Sequence, residues 1–243
     1  SQDIIIIDHL SKSFKLPTER SWGLKQAIFN RLKGIKGYTK QEVLKDISFT
    51  VKKGEFLGIM GSSGSGKTTL LNCLATIIAP TEGIIKMMDE DISKLKGDEL
   101  SNYRGRKIGY LFQNFELLEN LTGRENILLP LSLHDVSERE SMKRLMMLVE
   151  YLDIKDVLDK FPSQMSGGQK QRVSAARSLI LDPKIVFADE PTGALDSEIG
   201  NEIINLLLSE ATKDNYVIIA THDPAVYSKV DVIIDIKDIG SQA

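Results

Sequence analysis

Short apolar runs alternate with amphipathic segments along the chain. A strand is expected at Glu55–Met60, and five more apolar runs have the length of strands: Ile4–Ile7, Ile108–Phe112, Ile185–Ala188, Val217–Ala220 and Val232–Ile236. Because the apolar residues of these five runs are consecutive rather than alternating, we expect the strands to be buried on both faces.

Segments with the spacing of amphipathic helices lie between the runs. The first contains Leu70, Leu71, Leu74, Ile77 and Ile78, and Pro80 is expected to end that helix. Two further helical patterns consist of Met142, Leu145, Met146 and Val149, and of Ile199, Ile203, Leu206 and Leu207. Strands that alternate with helices predict an α/β fold around a mainly parallel sheet.

Composition limits the possible classes of protein. With 243 residues, 42% of them hydrophobic, the chain can bury a substantial core, and we expect one domain with an appended subdomain. The net charge of −3 gives no global reason to expect nucleic acid as a partner. The single cysteine, Cys73, excludes an intrachain disulfide and is expected to be a buried apolar side chain. The lack of a long apolar segment and of a signal-peptide pattern at the start predicts a soluble, cytosolic chain.

The predicted strand Glu55–Met60 is linked to the first predicted helix by Gly61-Ser62-Ser63-Gly64-Ser65-Gly66-Lys67-Thr68, here called the phosphate loop. It is a complete G-x-x-x-x-G-K-[ST] motif, whose glycines let the backbone curl so that N–H groups meet phosphate oxygens at the helix start. Lys67 is expected to bridge the β- and γ-phosphates and Thr68 to hold magnesium, with Thr69 beside them in the nucleotide site. A flexible Gly/Ser turn is the alternative, which the flanking strand and helix disfavour.

Two acidic residues follow the apolar run Ile185–Ala188. Asp189 is expected to approach a magnesium ion, and Glu190 to reach the attacking water as the candidate base. Solvated acids at an ordinary strand end are the alternative, and the phosphate loop in the same chain makes that alternative less favoured.

A second helix start is predicted at Ser166-Gly167-Gly168-Gln169-Lys170-Gln171-Arg172, here called the Ser-Gly-Gly segment. Its unpaired N–H groups are suited to a phosphate. By itself, such a segment is more often a helix cap than a ligand site.

The motifs together resemble those of an ATP-binding-cassette (ABC) ATPase, in order and across nearly the whole chain. They are Gly61–Thr68, Gln113, Ser166–Arg172, Asp189–Glu190, Ala194-Leu195-Asp196 and His222. Within that family, Leu111–Leu118, Asn126–Leu131 and Phe187–Asp196 resemble the ATPases of macrolide exporters, lipoprotein-releasing systems and antimicrobial-peptide resistance transporters. The peptide-resistance branch looks most similar.

The resemblance implies an α/β fold of the P-loop ABC type, with a mainly parallel sheet core, an antiparallel β-subdomain and an inserted α-helical subdomain. A single domain would cover residues 1–243. Its parts would be N-terminal strands at 1–60, a phosphate-loop core at 61–97, a helical subdomain at 98–161, and the Ser-Gly-Gly segment with the C-terminal catalytic core at 162–243.

The resemblance also implies a head-to-tail dimer of two copies, in which ATP lies between the phosphate loop of one chain and the Ser-Gly-Gly segment of the other. Ser166 and Gly168 would reach the partner's γ-phosphate, with Gly167, Gln169 and Asp196 also in the nucleotide site. Gln113 would respond to magnesium, the attacking water and the helical subdomain. His222 would contact the γ-phosphate and keep Glu190 and the water in register; a structural histidine is the alternative.

Further implied contacts involve adenine and a membrane partner. Phe14 would stack on adenine, with a core or edge aromatic as the alternative. The chain would sit on the cytoplasmic side of the cell membrane, bound to a separate transmembrane permease. Phe115, Leu117 and Leu118 would receive a short helix of that permease, or simply pack within the subdomain.

A basic insertion at about 16–40 departs from the narrower group. Leu24, Ile28, Leu32 and Ile35 have the spacing of one helical face, so the insertion is expected to contact anionic lipid or a permease, or to pack on its own domain. It faintly resembles polysaccharide-export ATPases, which leaves polysaccharide as a second candidate substrate. Two further candidate functions are a soluble ABC-type ATPase acting on DNA or ribosomes and a small-molecule P-loop kinase.

Overall fold

The computed structural model describes residues 4–17, 34, 38–193 and 195–240. The predicted amphipathic helix of the basic insertion, with Leu24, Ile28, Leu32 and Ile35, lies outside the described residues. Ala194 lies outside them too.

An antiparallel sheet contains β1 (Ile4–Pro17), β2 (Tyr38–Lys52), β4 (Glu82–Met87) and β5 (Glu90–Asp91), in the order β2-β1-β4-β5. The prediction that Ile4–Ile7 is buried on both faces is wrong. Ile5 and Ile7 are buried, whereas Ile4 and Ile6 are only partly covered. One face of this sheet packs on the core, so burial follows the two-residue period of the strand.

A parallel sheet forms the centre of the molecule. Its strands are β6 (Ile108–Leu111), β7 (Ile185–Asp189), β8 (Tyr216–Thr221), β3 (Phe56–Met60) and β9 (Val232–Asp235), in the order β6-β7-β8-β3-β9. Burial of every residue in β7 and β8 confirms the prediction for these two strands. It is wrong for the two end strands of this sheet: in β6 only Gly109 and Leu111 are buried, and in β9 Val232 is 37% and Ile233 43% exposed.

Seven α-helices are described: α1 (Lys67–Leu74), α2 (Gly97–Lys107), α3 (Gly123–Ser132), α4 (Glu138–Leu152), α5 (Gly167–Leu179), α6 (Ser197–Thr212) and α7 (Pro224–Tyr227). Short 3₁₀ turns occur at Ile92–Lys94, Lys155–Val157 and Pro162–Gln164. Within the described ranges, no helix has the length and apolar character needed to cross a membrane.

Two hydrophobic cores cover the two faces of the parallel sheet. Val186 and Ala188 of β7 pack with residues of α5 and α6, whereas Ile185 and Phe187 pack with α1 and the antiparallel sheet. This division places α1 and α5 on opposite faces of β7. The region 98–161 holds α2, α3 and α4, and it also contains β6, which belongs to the parallel sheet.

Two helices differ from the sequence expectation. The first ends at Leu74 and not at Pro80, because Thr76 adopts φ +64° and the N–H groups of Ile77 and Ile78 both donate to the Asn72 carbonyl. In α4, Met142 and Met146 are exposed. The buried stripe of that helix is Leu145, Leu148, Val149 and Leu152.

Candidate functional site

The phosphate loop leaves the C-terminal end of β3 and enters α1, as predicted. Gly66 caps the helix with φ +100°, a left-handed conformation that disfavours a side chain. Gly61 is also constrained, because a Cβ there would come within 2.8 Å of the Ile236 Cγ2 atom. These two glycines let the loop turn sharply between the strand and the helix.

Lys67 is the first residue of α1, and only 6% of its surface is exposed. Its Nζ donates to the carbonyl oxygens of Gly61 at 2.6 Å and Ser62 at 3.0 Å. The same atom lies 3.8 Å from Oε1 of Glu190. The ammonium group is therefore held over the loop, next to Glu190, the candidate base.

Asp189 ends β7 on the same edge of the sheet. Its Oδ2 accepts a hydrogen bond of 2.8 Å from the Thr68 hydroxyl, while its Oδ1 is buried with no hydrogen-bond partner among the described residues. Burial raises the pKa of Asp189. A buried, unpaired carboxylate oxygen is costly unless a positive group meets it, and carboxylate and hydroxyl oxygens are ligands that Mg²⁺ prefers. The donor set therefore fits a magnesium ion.

Glu190 is held by the residues that follow β8. Its Oε1 accepts from the His222 backbone N–H at 3.0 Å and lies 2.6 Å from His222 Nδ1. Its Oε2 accepts from the Thr221 hydroxyl at 3.1 Å. The Glu190 backbone adopts φ +44°, and its N–H donates to the Ala220 carbonyl. These contacts fix the carboxylate, only 7% exposed, at the rim of a cleft.

That cleft has a volume of about 240 Å³ and brings together ten of the residues proposed from sequence. They are Ser63, Gly64, Gly66, Lys67, Thr68, Thr69, Gln113, Asp189, Glu190 and His222. Gly61 and Ser62 line an adjacent cleft that His222 also borders, and the Ser65 hydroxyl is buried in the loop.

Sequence reasoning missed two residues of this region. Val43 of β2 lines the cleft, and its carbonyl lies close to Gly66. Thr221 binds Glu190. A single apolar residue such as Val43 carries no sequence signal, because only strand register brings it to the loop. Thr221, in contrast, directly precedes His222, and that position could have marked it as a site residue.

The Ser-Gly-Gly segment opens α5, as predicted, but does not line the cleft. Ser166 and Gln169 form a reciprocal cap, with Gln169 N–H donating to the Ser166 hydroxyl and Ser166 N–H donating to the Gln169 side chain. Gly167 is exposed and faces open space. Gly168 is buried, and a Cβ there would clash with the Ile199 side chain of α6.

Phe14 and Asp196 also lie apart from the cleft lining. The Phe14 ring is 36% exposed on β1, with the Lys12 Nζ 5.2 Å from its centroid. Asp196 caps α6 by accepting from the Ile199 N–H at 3.0 Å. Their roles toward a nucleotide stay predictions.

Comparisons with known proteins agree with this geometry. A family model described as "ABC transporter" matches residues 44–193. The bacitracin export ATP-binding protein BceA of Halalkalibacterium halodurans is 46% identical, covering 82% of this chain and 79% of that protein. The macrolide export ATP-binding/permease protein MacB of Brucella melitensis is 43% identical over 81% of this chain, which corresponds to 30% of that longer protein.

Solved structures share the fold. The ATP-binding cassette MJ0796, described as a dimer in a post-hydrolysis state bound to ADP and phosphate, superposes with a TM-score of 0.82. Its sequence is 33% identical, and the match covers 98% of this chain and 97% of that one.

Proposed function

Since this chain belongs to the ABC transporter family of ATP-binding proteins, we propose that it powers export of antimicrobial peptides or lipid-linked substrates through a permease. It is an ATPase, and its family role is to supply a membrane transporter with energy. The bacitracin and macrolide exporters among its relatives support the substrate class. Nothing in the comparisons favours a role on DNA or ribosomes, or polysaccharide as the substrate.

One observation carries the mechanism: Lys67, Asp189 and Glu190 meet in a single cleft at the carboxyl edge of the parallel sheet. N–H groups of the phosphate loop and the start of α1 would bind the nucleotide phosphates, and Lys67 would exchange its loop carbonyls for phosphate oxygens. Thr68, Asp189 and Gln113 would hold Mg²⁺, which supplies charge neutralisation on the phosphates.

Glu190 would accept a proton from the attacking water. Thr221 and the His222 N–H fix both carboxylate oxygens, so the acid stays oriented with little further reorganisation. His222 would keep that orientation, because it lines the cleft while its Nδ1 contacts Glu190.

The site requires a second copy of the chain. Ser166–Gln169 lies outside the cleft lining, with Gly167 open at the surface, so the segment is available to a nucleotide bound by a partner. The dimeric MJ0796 structures support a dimer of this chain. ATP would draw two copies together head to tail, and hydrolysis would release them. Asp196 would lie at that interface. Phe14 would stack on the adenine of the ATP that its own chain binds.

The permease would bind the chain on the cytoplasmic side of the cell membrane. Its contact would be the helical subdomain at 98–161, within a single domain whose other parts are 1–60, 61–97 and 162–243. Of the three predicted docking residues, Leu118 is 45% exposed. Leu117 packs against the core, so it contributes less. The basic insertion at about 16–40 is a second candidate contact with the permease or with anionic lipid.

Copurification tests this proposal. Affinity capture of the Glu190→Gln chain from detergent-solubilised native membranes with ATP is expected to recover a permease. Bacitracin or a macrolide should then stimulate ATP hydrolysis by the wild-type chain in vesicles that contain the permease. Recovery of ribosomes or DNA in place of a permease would contradict the transporter role, and stimulation by polysaccharide alone would contradict the substrate class.

A further inference from the structure

The segment after Gln113 is held in an unusual conformation by the helix that the Ser-Gly-Gly segment begins. Phe115 and Glu116 adopt φ +65° and +53°, two consecutive left-handed residues without a glycine. Such residues each cost of order 1–3 kcal/mol and persist only when surrounding contacts hold them. The contacts that hold this pair therefore set where Gln113 lies.

Those contacts come from α5. Arg177 Nη1 donates to the Glu116 carbonyl at 2.6 Å, and its Nη2 donates to the Phe115 carbonyl at 2.9 Å. The Ser174 hydroxyl also donates to the Phe115 carbonyl, at 3.0 Å. Three hydrogen bonds from one face of α5 thus end on two successive carbonyls.

The guanidinium group of Arg177 matches the arrangement of these two carbonyls. Its rigid fork serves the two adjacent carbonyls at once, which a lysine ammonium, a single donor centre, does less well. Burial lowers the pKa of Arg177, and the nearby Glu116 carboxylate opposes that shift. Charge-assisted donors in such surroundings are stronger than neutral ones, so Arg177 is the main restraint.

The other end of the same segment is fixed by α3. Asn126 is fully buried; its Oδ1 accepts from Leu118 N–H, and its Nδ2 donates to the carbonyls of Leu118, Leu121 and Thr122. The segment is therefore held by α5 at Phe115 and Glu116 and by α3 from Leu118 onward. Gln113 in turn lines the cleft with Asp189 and Glu190.

We infer that Arg177, assisted by Ser174, is a positioning residue that ties Gln113 of one ATP site to the helix whose start closes the other. Ser166, which would contact the partner's nucleotide, caps the start of α5, and the same helix holds the Gln113 segment through Ser174 and Arg177. A shift of α5 on closure would thus move Gln113 within its own chain. This inference rests on the proposed dimer.

The test measures ATP hydrolysis and ATP affinity of the full chain carrying Arg177→Lys. Since displacement of a positioned group by about 1 Å can cost about a hundredfold in rate, we expect kcat to fall by about tenfold or more. Affinity for ATP in calorimetry should stay within about twofold, because the phosphate loop is untouched. In a chain that already carries Gln113→Ala, Arg177→Lys should cause no further loss of kcat, since both substitutions act through Gln113.

Arg144→Lys is the matched control. Arg144 also donates two N–H groups to a backbone carbonyl, that of Leu179 at the end of α5, and pairs with Asp182. Arg144→Lys is expected to keep the wild-type kcat, although it should change the unfolding midpoint about as much as Arg177→Lys does. Equal kcat values for the two lysine variants, or full additivity with Gln113→Ala, would overturn the inference. A wild-type chain without ATP hydrolysis would instead overturn the proposed function.

Discussion

Replacement of Glu190 by glutamine removes the proposed base while leaving its surroundings nearly intact. The side chain keeps its volume, and the amide oxygen can still accept from His222 N–H in place of Oε1. The amide nitrogen would then donate to the Thr221 hydroxyl, which now donates to Oε2 and accepts from Asp223 N–H. The number of hydrogen bonds is preserved, but the negative charge 3.8 Å from Lys67 Nζ is lost, so the free energy of unfolding should fall by about 1–3 kcal/mol.

The effect on turnover should be much larger. Proton acceptance by a positioned carboxylate is typically worth about a hundred- to ten-thousand-fold in rate, which corresponds to about 3–5 kcal/mol of activation free energy. We therefore expect phosphate release at saturating ATP to nearly stop, whereas calorimetry should still detect ATP binding. The ATP-bound variant should also accumulate as a dimer in size-exclusion chromatography.

Glu210→Gln provides the control for this experiment. Glu210 is also buried, accepts from Lys213 Nζ and Asn215 Nδ2, and lies on α6 outside the cleft lining. Its substitution is expected to lower stability slightly without changing kcat. Steady-state hydrolysis by Glu190→Gln close to that of Glu210→Gln would refute the assignment of Glu190 as base.

Three further predictions concern binding, stability and reactivity. Lys67→Ala should weaken ATP binding itself, since it removes the cation beside the loop, and unchanged affinity in calorimetry would count against the phosphate site. Asn126→Ala should lower the free energy of unfolding by about 2–4 kcal/mol, because it removes the hydrogen bonds that the fully buried Asn126 side chain makes to backbone groups of Leu118, Leu121 and Thr122. Urea denaturation measures this loss, and a value under about 1 kcal/mol would be inconsistent with the contacts. Cys73 is 1% exposed, and burial raises the pKa of its thiol to about 11. It should therefore resist thiol reagents at neutral pH until the chain unfolds, and rapid labelling of Cys73 in the folded chain would contradict this prediction.

The sequence predicted all but one of the residues that line the candidate site. The phosphate loop follows β3, His222 follows β8 and Asp189 ends β7, and these three strands are neighbours in the parallel sheet. Since the carboxyl ends of parallel strands share one edge, these motifs, far apart in the chain, come together in one cleft.

Local patterns failed where tertiary packing determines the outcome. The spacing of Ile77 and Ile78 favours a longer helix, yet Thr76 turns left-handed and both N–H groups return to Asn72. Consecutive isoleucines at Ile4–Ile7 do not reveal that only one face of the antiparallel sheet meets the core. A run of apolar residues alone does not distinguish a central strand from an end strand such as β9.

Long-range hydrogen bonds to backbone atoms were also beyond sequence reasoning. Arg177 lies some sixty residues from the carbonyls that it binds, and neither Phe115 nor Glu116 is a residue type that signals a left-handed turn. The same holds for Val43, which reaches the cleft only through the register of β2. Such contacts depend on how helices and strands pack, which motif spacing does not encode.

Mixing two inactive variants tests most directly whether each ATP site is shared between two copies. Lys67→Ala disables the phosphate loop, and Ser166→Arg blocks the Ser-Gly-Gly segment that would face the partner. In a mixed dimer, one site would carry both defects and the other neither. Each variant alone should be inactive, and an equal mixture should recover up to about one quarter of the wild-type rate. Mixed dimers that form but recover no hydrolysis would contradict a site composed of two chains.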